Sequence, residues 1–116
     1  LPDPARLSRE LREALLSTRD GAEVVVAAVS QPGSQVQKEL ETRFAASVKA
    51  WLGEAASISN VRIAARGLLR LTLGDAAVQQ SAAQLAQATG AHEESDGAGE
   101  HAAAVAFLLD GLKRSV

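Results

Sequence analysis

The stretch from Val61 to Leu73, VRIAARGLLRLTL, decides how the fold is interpreted. Aliphatic residues alternate with arginines or small residues on either side of Gly67, and a two-residue period is typical of β-strands. A three-residue loop ending at Gly67 pairs Ile63 with Leu69 and keeps one face of the hairpin apolar. Glycine suits that loop because its third position needs a left-handed backbone. The stretch therefore predicts an antiparallel hairpin with a glycine bulge.

A further strand is predicted upstream, where residues 23–30 read EVVVAAVS. This run is continuous, rich in β-branched residues and short for a helix, which is typical of a strand covered on both faces. Pro32 and Gly33 follow it and mark a turn. The run would be joined to the hairpin by a crossover connection, which is right-handed by default.

Four segments with a helical spacing of apolar residues surround these strands. Asp3, Ser34 and Asp75 are suited to cap the first three segments, and a glycine follows the end of each. The predicted helices cover about residues 4–20, 34–53, 75–89 and 100–114. The order α-β-α-β-β-α-α then predicts a single α/β (α+β) domain over residues 1–116, with a small mixed sheet of about three strands and helices packed on the sheet.

Composition and charge restrict the classes of function. The 116 residues include no cysteine, which excludes a disulfide framework, a thiolate metal site and a cysteine nucleophile. The net charge is -2, so attraction to nucleic acid would need a local basic patch. No apolar run suits a membrane span and no signal segment is evident, so we expect no membrane contact and a cytoplasmic location. Because the chain starts at Leu1 and contains no methionine, it is predicted to be an excerpt or processed part of a longer polypeptide.

The arginines of the predicted hairpin are the first candidate site. In the predicted register Arg62 and Arg70 lie opposite each other, with Arg66 at the turn. Like charges across a strand pair repel, so a bound anion such as a phosphate group would stabilise this arrangement. The alternative is a solvated strand face whose arginines point apart or pair with nearby glutamates.

A second candidate lies in the loop between the last two predicted helices and at the start of the last one. The histidines and carboxylates there could hold a divalent metal: His92, Glu93, Glu94, Asp96 and His101. Their spacing matches no recognised ligand motif, so a solvated acidic loop is preferred and no metal site is predicted. The segment 97–99, just before the last helix, would seat an anion or serve as a linker.

Catalytic motifs are missing from the sequence. No serine lies in a G-x-S-x-G elbow, and no glycine-rich phosphate-binding motif follows a predicted strand. We therefore predict that the chain is not an enzyme and uses no cofactor. Trp51 lies on an apolar helical stripe and is expected in the core, whereas exposure beside Leu52 would mark a partner or dimer surface.

Residues 61–116 resemble the DHH-associated C-terminal lobe of RecJ-like phosphoesterases. The resemblance rests on the strand Val61–Arg66, the helix 75–89, the loop Gly90-Ala91-His92 and a last helix with Phe107-Leu108. It implies that Arg66 and His92 face a phosphate or nucleic-acid substrate. One of the family's three loop glycines is present and the serine of its strand motif is replaced, so the resemblance implies a degenerate lobe without the nuclease half.

Residues 23–90 are also similar in pattern to the small dimerisation subunit of the KEOPS tRNA-modifying complex. The similarity rests on the predicted β-α-β-β-α order and on the segment GLLRLTLGDAAVQQSAAQLA, residues 67–86. It implies self-association or assembly into a larger complex.

These features predict a non-catalytic binding or assembly module. In the preferred hypothesis it is a nucleic-acid-contacting lobe of a replication, repair or RNA-processing assembly. Its binding side, which would contact single-stranded nucleic acid, carries Arg62, Arg66, Arg70 and His92. The alternative hypothesis is a protein-interaction or dimerisation module without nucleic-acid contact.

Overall fold

All regular secondary structure in the described residues, 2–90 and 96–116, is helical. The computed structural model contains five α-helices and one 3₁₀ turn, and neither described range contains a strand. The predicted α/β (α+β) fold class, with its three-stranded mixed sheet, is therefore wrong. The elements are α1 (Pro4–Leu16), α2 (Gly21–Val29), α3 (Gln35–Leu52), the 3₁₀ turn (Gly53–Ala55), α4 (Ile58–Thr89) and α5 (Gly97–Arg114).

The stretch 61–73 lies inside α4 and forms no hairpin. The helix begins after Ser57, whose Oγ accepts a hydrogen bond from the amide of Asn60 at 3.0 Å. Its buried residues are spaced alternately by three and by one: Val61, Ala64, Ala65, Leu68, Leu69, Thr72, Leu73 and Ala76. That spacing follows the 3.6-residue period of a helix, so burial overrides the two-residue alternation on which the hairpin was predicted.

The valine-rich run 23–30 is also helical and makes up most of α2, so the predicted strand there is wrong. Contacts with the rest of the protein explain why a β-branched run adopts this conformation. Val25 and Val26 pack against the core, and the amide of Ala22 in the first turn donates to Oε1 of Gln80 in α4 at 2.9 Å. Tertiary contacts therefore decide the conformation of this segment against its propensity.

Three of the predicted helices are present, but α1 ends at Leu16, and Gly21, which was predicted to end it, is the first residue of α2. Asp3 caps α1 by accepting from the amide of Arg6 at 2.8 Å, and Ser34 caps α3 by accepting from the amide of Gln37 at 3.1 Å. The last helix begins slightly earlier than predicted, at Gly97. The predicted helix 75–89 is not a separate element, because α4 runs through it without a break.

Helix α4 is the centre of the bundle. Its 32 residues extend over about 48 Å, and it contacts each of the other four α-helices. The fully buried side chains include Phe44 and Val48 of α3, Leu68 and Leu69 of α4 and Val105 of α5. The core therefore runs along α4, and the grooves between α4 and its neighbours are the places where a ligand or partner could be held.

Candidate docking groove between α3 and α4

The three arginines that were predicted to gather on a hairpin lie on successive turns of α4. A spacing of four residues places Arg62, Arg66 and Arg70 on one helix face, and all three are exposed. Arg62 and Arg70 are separated along the helix axis by about 12 Å and do not lie opposite each other. The arginines thus share a face, but the paired arrangement predicted to need a bound phosphate is absent.

One of these arginines is already engaged by α3. Nε of Arg66 donates to Oε1 of Glu41 at 2.7 Å. This hydrogen bond is the main reason why the pKa of Glu41 lies below its usual value. Partial burial acts to raise the pKa, whereas a hydrogen bond from Gln37 and the charges of Arg66 and Arg70 lower it further. Glu41 therefore stays ionised at neutral pH and neutralises Arg66 locally.

The docking groove lies between α3 and α4, beside the Glu41–Arg66 pair, with a volume of about 560 Å³. It exists because the facing positions carry short side chains, which leave space between the two helices. Its apolar lining consists of Ala45, Ala46, Ala56, Val61 and Ala65, and its basic edges of Lys38, Lys49 and Arg62. From Lys38 to Lys49 it follows about three turns of α3, a length of about 16 Å.

The edges of the docking groove are basic although the chain as a whole is acidic. Lys38, Lys49 and Arg62 form no ion pair with any residue in the two described ranges. The single carboxylate in the lining, Glu41, is paired with Arg66. A ligand in the docking groove therefore meets an apolar surface and, at its edges, three cations that are unpaired within the described part of the chain.

Ile58 adds an apolar contact point at one end of the docking groove. It is the first residue of α4 and lines the groove, yet its surface is 90 % exposed. Single exposed aliphatic residues are common, but one that borders an apolar groove extends the surface that a partner can bury.

Of the other predicted candidate residues, only Asp96 and His101 belong to the part of the chain that the structure describes. His92, Glu93 and Glu94 lie outside the described residues. Asp96 caps α5 by accepting from the amide of Gly99 at 3.2 Å, and His101 is buried. Within residues 2–90 and 96–116, no cluster of three or more histidines and carboxylates is placed to hold a metal ion.

Trp51, expected in the core, is half-buried and packs against the core from α3. Nζ of Lys113 in α5 lies 5.0 Å from the centre of its ring, within the range of a cation–π contact. Trp51 therefore joins the ends of α3 and α5.

Two buried polar contacts were missed at the sequence level. Nε of Arg12 donates to Oδ2 of Asp75 at 2.7 Å, and Oγ1 of Thr72 lies 3.0 Å from Nε2 of His101. Arg12 and Thr72 each occupy a position in the series of buried residues on their helix. A polar residue at the spacing of core residues was therefore the sequence signal that could have indicated a buried polar contact. These contacts tie α1 and α5 to α4.

Burial lowers the pKa of His101 below its usual value of about 6.5; nearby Asp75 acts to raise the pKa and Arg12 to lower it. Folded His101 is then neutral at a pH where the unfolded chain binds a proton. We expect the free energy of unfolding to fall as the pH drops below about 6.5, because protons bind the unfolded state more strongly.

Urea unfolding at a series of pH values measures this effect. His101→Gln should flatten the dependence just below pH 6.5, whereas His92→Gln, a control that removes the other histidine, should leave it in place. An identical pH dependence for His101→Gln and the wild type would rule out this contribution of His101.

In the part of the chain that the structure describes, none of the helices combines the length and the apolar character that a membrane span requires. The chain matches no family model, no curated protein and no solved structure. The resemblances to the DHH-associated lobe and to the KEOPS subunit therefore stay predictions, although the segment Val61–Arg66, on which the first one places a strand, is helical.

Proposed function

We propose that this protein is a non-catalytic binding module whose docking groove holds an acidic, amphipathic helix of a partner protein. The observation that carries the proposal is the combination of an apolar lining with three cations at the edges, Lys38, Lys49 and Arg62, that have no ion-pair partner among the described residues. A cytoplasmic location, expected from the sequence, stays a prediction.

The shape of the docking groove supports a helix as its ligand. Two antiparallel neighbours with short facing side chains make a groove into which an amphipathic helix lays its apolar face. About three turns of α3 border it, which matches the spacing of anchor residues at i, i+3, i+4 and i+7 on a bound helix. Ile58 at one end enlarges the apolar contact.

The charges support an acidic ligand. Potentials on the two sides of an interface tend to be complementary, which steers the partner and rejects others. Glutamates or aspartates flanking the apolar stripe of a partner helix would lie against Lys38, Lys49 and Arg62. A basic helix would meet the same three cations without compensation, so the docking groove discriminates by charge.

The hypothesis of nucleic-acid contact through Arg62, Arg66 and Arg70 is less well supported by the same geometry. Arg66 is paired with Glu41, and the surface between the remaining cations is apolar. Phosphate backbones are held mainly by charged and polar groups, with bases stacked on aromatic side chains. The docking groove has no aromatic residue in its lining.

A display library of helical peptides tests the proposal with the intact chain. We expect selection to enrich peptides that combine a leucine- or valine-rich stripe with glutamate or aspartate beside it. A labelled selected peptide should bind the double variant Lys49→Glu/Arg62→Glu at least about tenfold more weakly, which corresponds to about 1.4 kcal/mol. Fluorescence anisotropy measures the affinity. Ile58→Ser should also weaken binding, because it removes an exposed apolar contact without altering the core.

The matched control is Arg19→Glu/Arg43→Glu, which changes the net charge equally at exposed positions outside the docking groove. It should bind the peptide like the wild type, after allowance for ionic strength. Enrichment of neutral or basic peptides, or an equal loss in both double variants, contradicts the proposal. The nucleic-acid hypothesis would replace this proposal under two conditions. The selection would yield no acidic peptide, and the wild type would bind labelled single-stranded DNA or RNA that Lys49→Glu/Arg62→Glu no longer binds.

A further inference from the structure

A smaller cavity lies on another side of the bundle, between α1 and α5, and is separate from the docking groove. Its volume is about 140 Å³. A water molecule in the liquid takes about 30 Å³, so the cavity has space for a polyatomic ion. The polar residues in its lining are Arg9, Arg12 and Glu13 of α1 and His101 of α5.

Arg12 supplies buried hydrogen-bond donors to this cavity. Its side chain is only 8 % exposed, and its Nε is held by Asp75, while neither Nη group forms a hydrogen bond with a described residue. No side-chain nitrogen or oxygen in the described residues is both enclosed and unpaired. The Nη groups must therefore reach open space, and Arg12 lines the cavity. A fixed guanidinium with two spare amino groups is suited to an oxyanion.

His101 borders the cavity from α5 and has a second ring nitrogen, Nδ1, that does not contact Thr72. Its Nε2 lies against the hydroxyl of Thr72 at 3.0 Å, and its ring borders the cavity. When Thr72 donates to Nε2, the neutral imidazole carries its proton on Nδ1. That proton has no acceptor among the described residues, so it is available to a ligand.

Two further features at the cavity favour an anion, and two carboxylates oppose it. Ala98 lies in the first turn of α5, where amide groups and the helix dipole attract negative charge, and Arg9 is an exposed cation at the edge. The carboxylate of Asp96 already caps this end of α5 by accepting from the amide of Gly99. Glu13 is an exposed carboxylate in the same lining and repels an anion, although water screens it. Because polar side chains of both helices line one small space, a tetrahedral anion with four oxygens can accept from more of them than a carboxylate can.

We propose that the cavity between α1 and α5 binds a phosphate group, held by the Nη groups of Arg12 and by His101, with Arg9 at its entrance. Bound phosphate joins α1 to α5 and so stabilises the bundle at a place remote from the docking groove. The site is independent of the proposed partner helix, because no residue lines both spaces.

Inorganic phosphate is the probe, with sodium chloride at the same ionic strength as the reference. We expect the melting temperature to rise with phosphate concentration and to saturate, as it does for a ligand that binds only the folded state. Glu13→Gln should tighten the apparent affinity, because it removes the opposing charge, and Arg9→Gln should weaken it. Titration calorimetry gives the dissociation constants.

Filling the space tests the location without disturbing the Arg12–Asp75 contact. Ala5→Leu/Ala102→Leu places larger side chains at two lining positions and should abolish saturable binding. Ala103→Leu/Ala106→Leu, at exposed positions of α5 outside the cavity, should leave binding unchanged. Absence of saturable phosphate binding, retention in the filled variant, or binding of acetate but not phosphate would each overturn the assignment.

Discussion

Asp75→Ala should lower the free energy of unfolding by about 3 kcal/mol, because it leaves the buried cation of Arg12 without its partner. Nε of Arg12 donates to Oδ2 of Asp75 at 2.7 Å, and the arginine side chain is 8 % exposed. Breaking a buried ion pair from one side costs about 3–5 kcal/mol. The lower end applies because the Asp75 side chain is 29 % exposed, so water partly replaces the lost carboxylate.

A double variant separates an unpaired charge from lost packing. Arg12→Met/Asp75→Leu removes both charges and keeps most of the volume, so it should be closer in stability to the wild type than Asp75→Ala is. Glu10→Ala, which breaks the exposed pair with Arg6, should cost no more than about 1 kcal/mol. Urea unfolding followed by circular dichroism measures all three. If Asp75→Ala costs no more than Glu10→Ala, the contact between α1 and α4 is not a stabilising ion pair.

Local signals were sufficient to predict where α1 and α3 begin and where α3 ends, but Gly21 and Asp75, predicted to end one helix and to begin another, do neither. Asp3 and Ser34 accept hydrogen bonds from amides in the first turns of α1 and α3, as their residue types indicated. Gly53 has a positive φ of 72° where α3 ends. These signals are reliable because a cap involves residues only a few positions apart.

The stretch 61–73 was misinterpreted because its most conspicuous residues fit both periods. Arg62, Arg66 and Arg70 recur every four residues. That spacing places all three side chains on one face of a strand, and it also places them on one face of a helix. The decisive signal was the pairs of adjacent apolar residues, such as Leu68 and Leu69, which alternation forbids and a helical stripe requires. Counting those pairs would have predicted one long helix.

The docking groove could be predicted only in part. Arg62 was among the predicted site residues and lines the groove, but Lys38 and Lys49 were not, because their place beside Arg62 depends on how α3 packs against α4. The residues Glu41 and Arg66, which pair next to the groove, are 25 positions apart in the chain. Neither periodicity nor propensity contains information on such a distant contact.

The second large effect concerns Gln80, which connects three helices through one amide group. Its Nε2 donates to the carbonyls of Leu15 and Thr18, and its Oε1 accepts from the amide of Ala22, each at 2.9 Å. It thereby satisfies the carbonyl of Leu15 at the end of α1 and the amide of Ala22 at the start of α2, while the carbonyl of Thr18 also accepts from the amide of Gly21 at 3.0 Å. Gln80→Ala should lower the free energy of unfolding by about 3 kcal/mol, at about 1 kcal/mol for each hydrogen bond.

A second substitution of Gln80 and a control substitution at another glutamine of α4 test this prediction. Gln80→Glu keeps the size and the acceptor but has no donor for the two carbonyls, so it should destabilise the protein at least as much as alanine does. Gln87→Ala, at an exposed position of α4 without a hydrogen bond to a described residue, should change stability by less than about 0.5 kcal/mol. Since α2 is rich in valine and lacks a side-chain cap at Asp20, its helicity depends on this contact. Equal stabilities for Gln80→Ala and Gln87→Ala would mean that packing of the valines alone holds α2 in place.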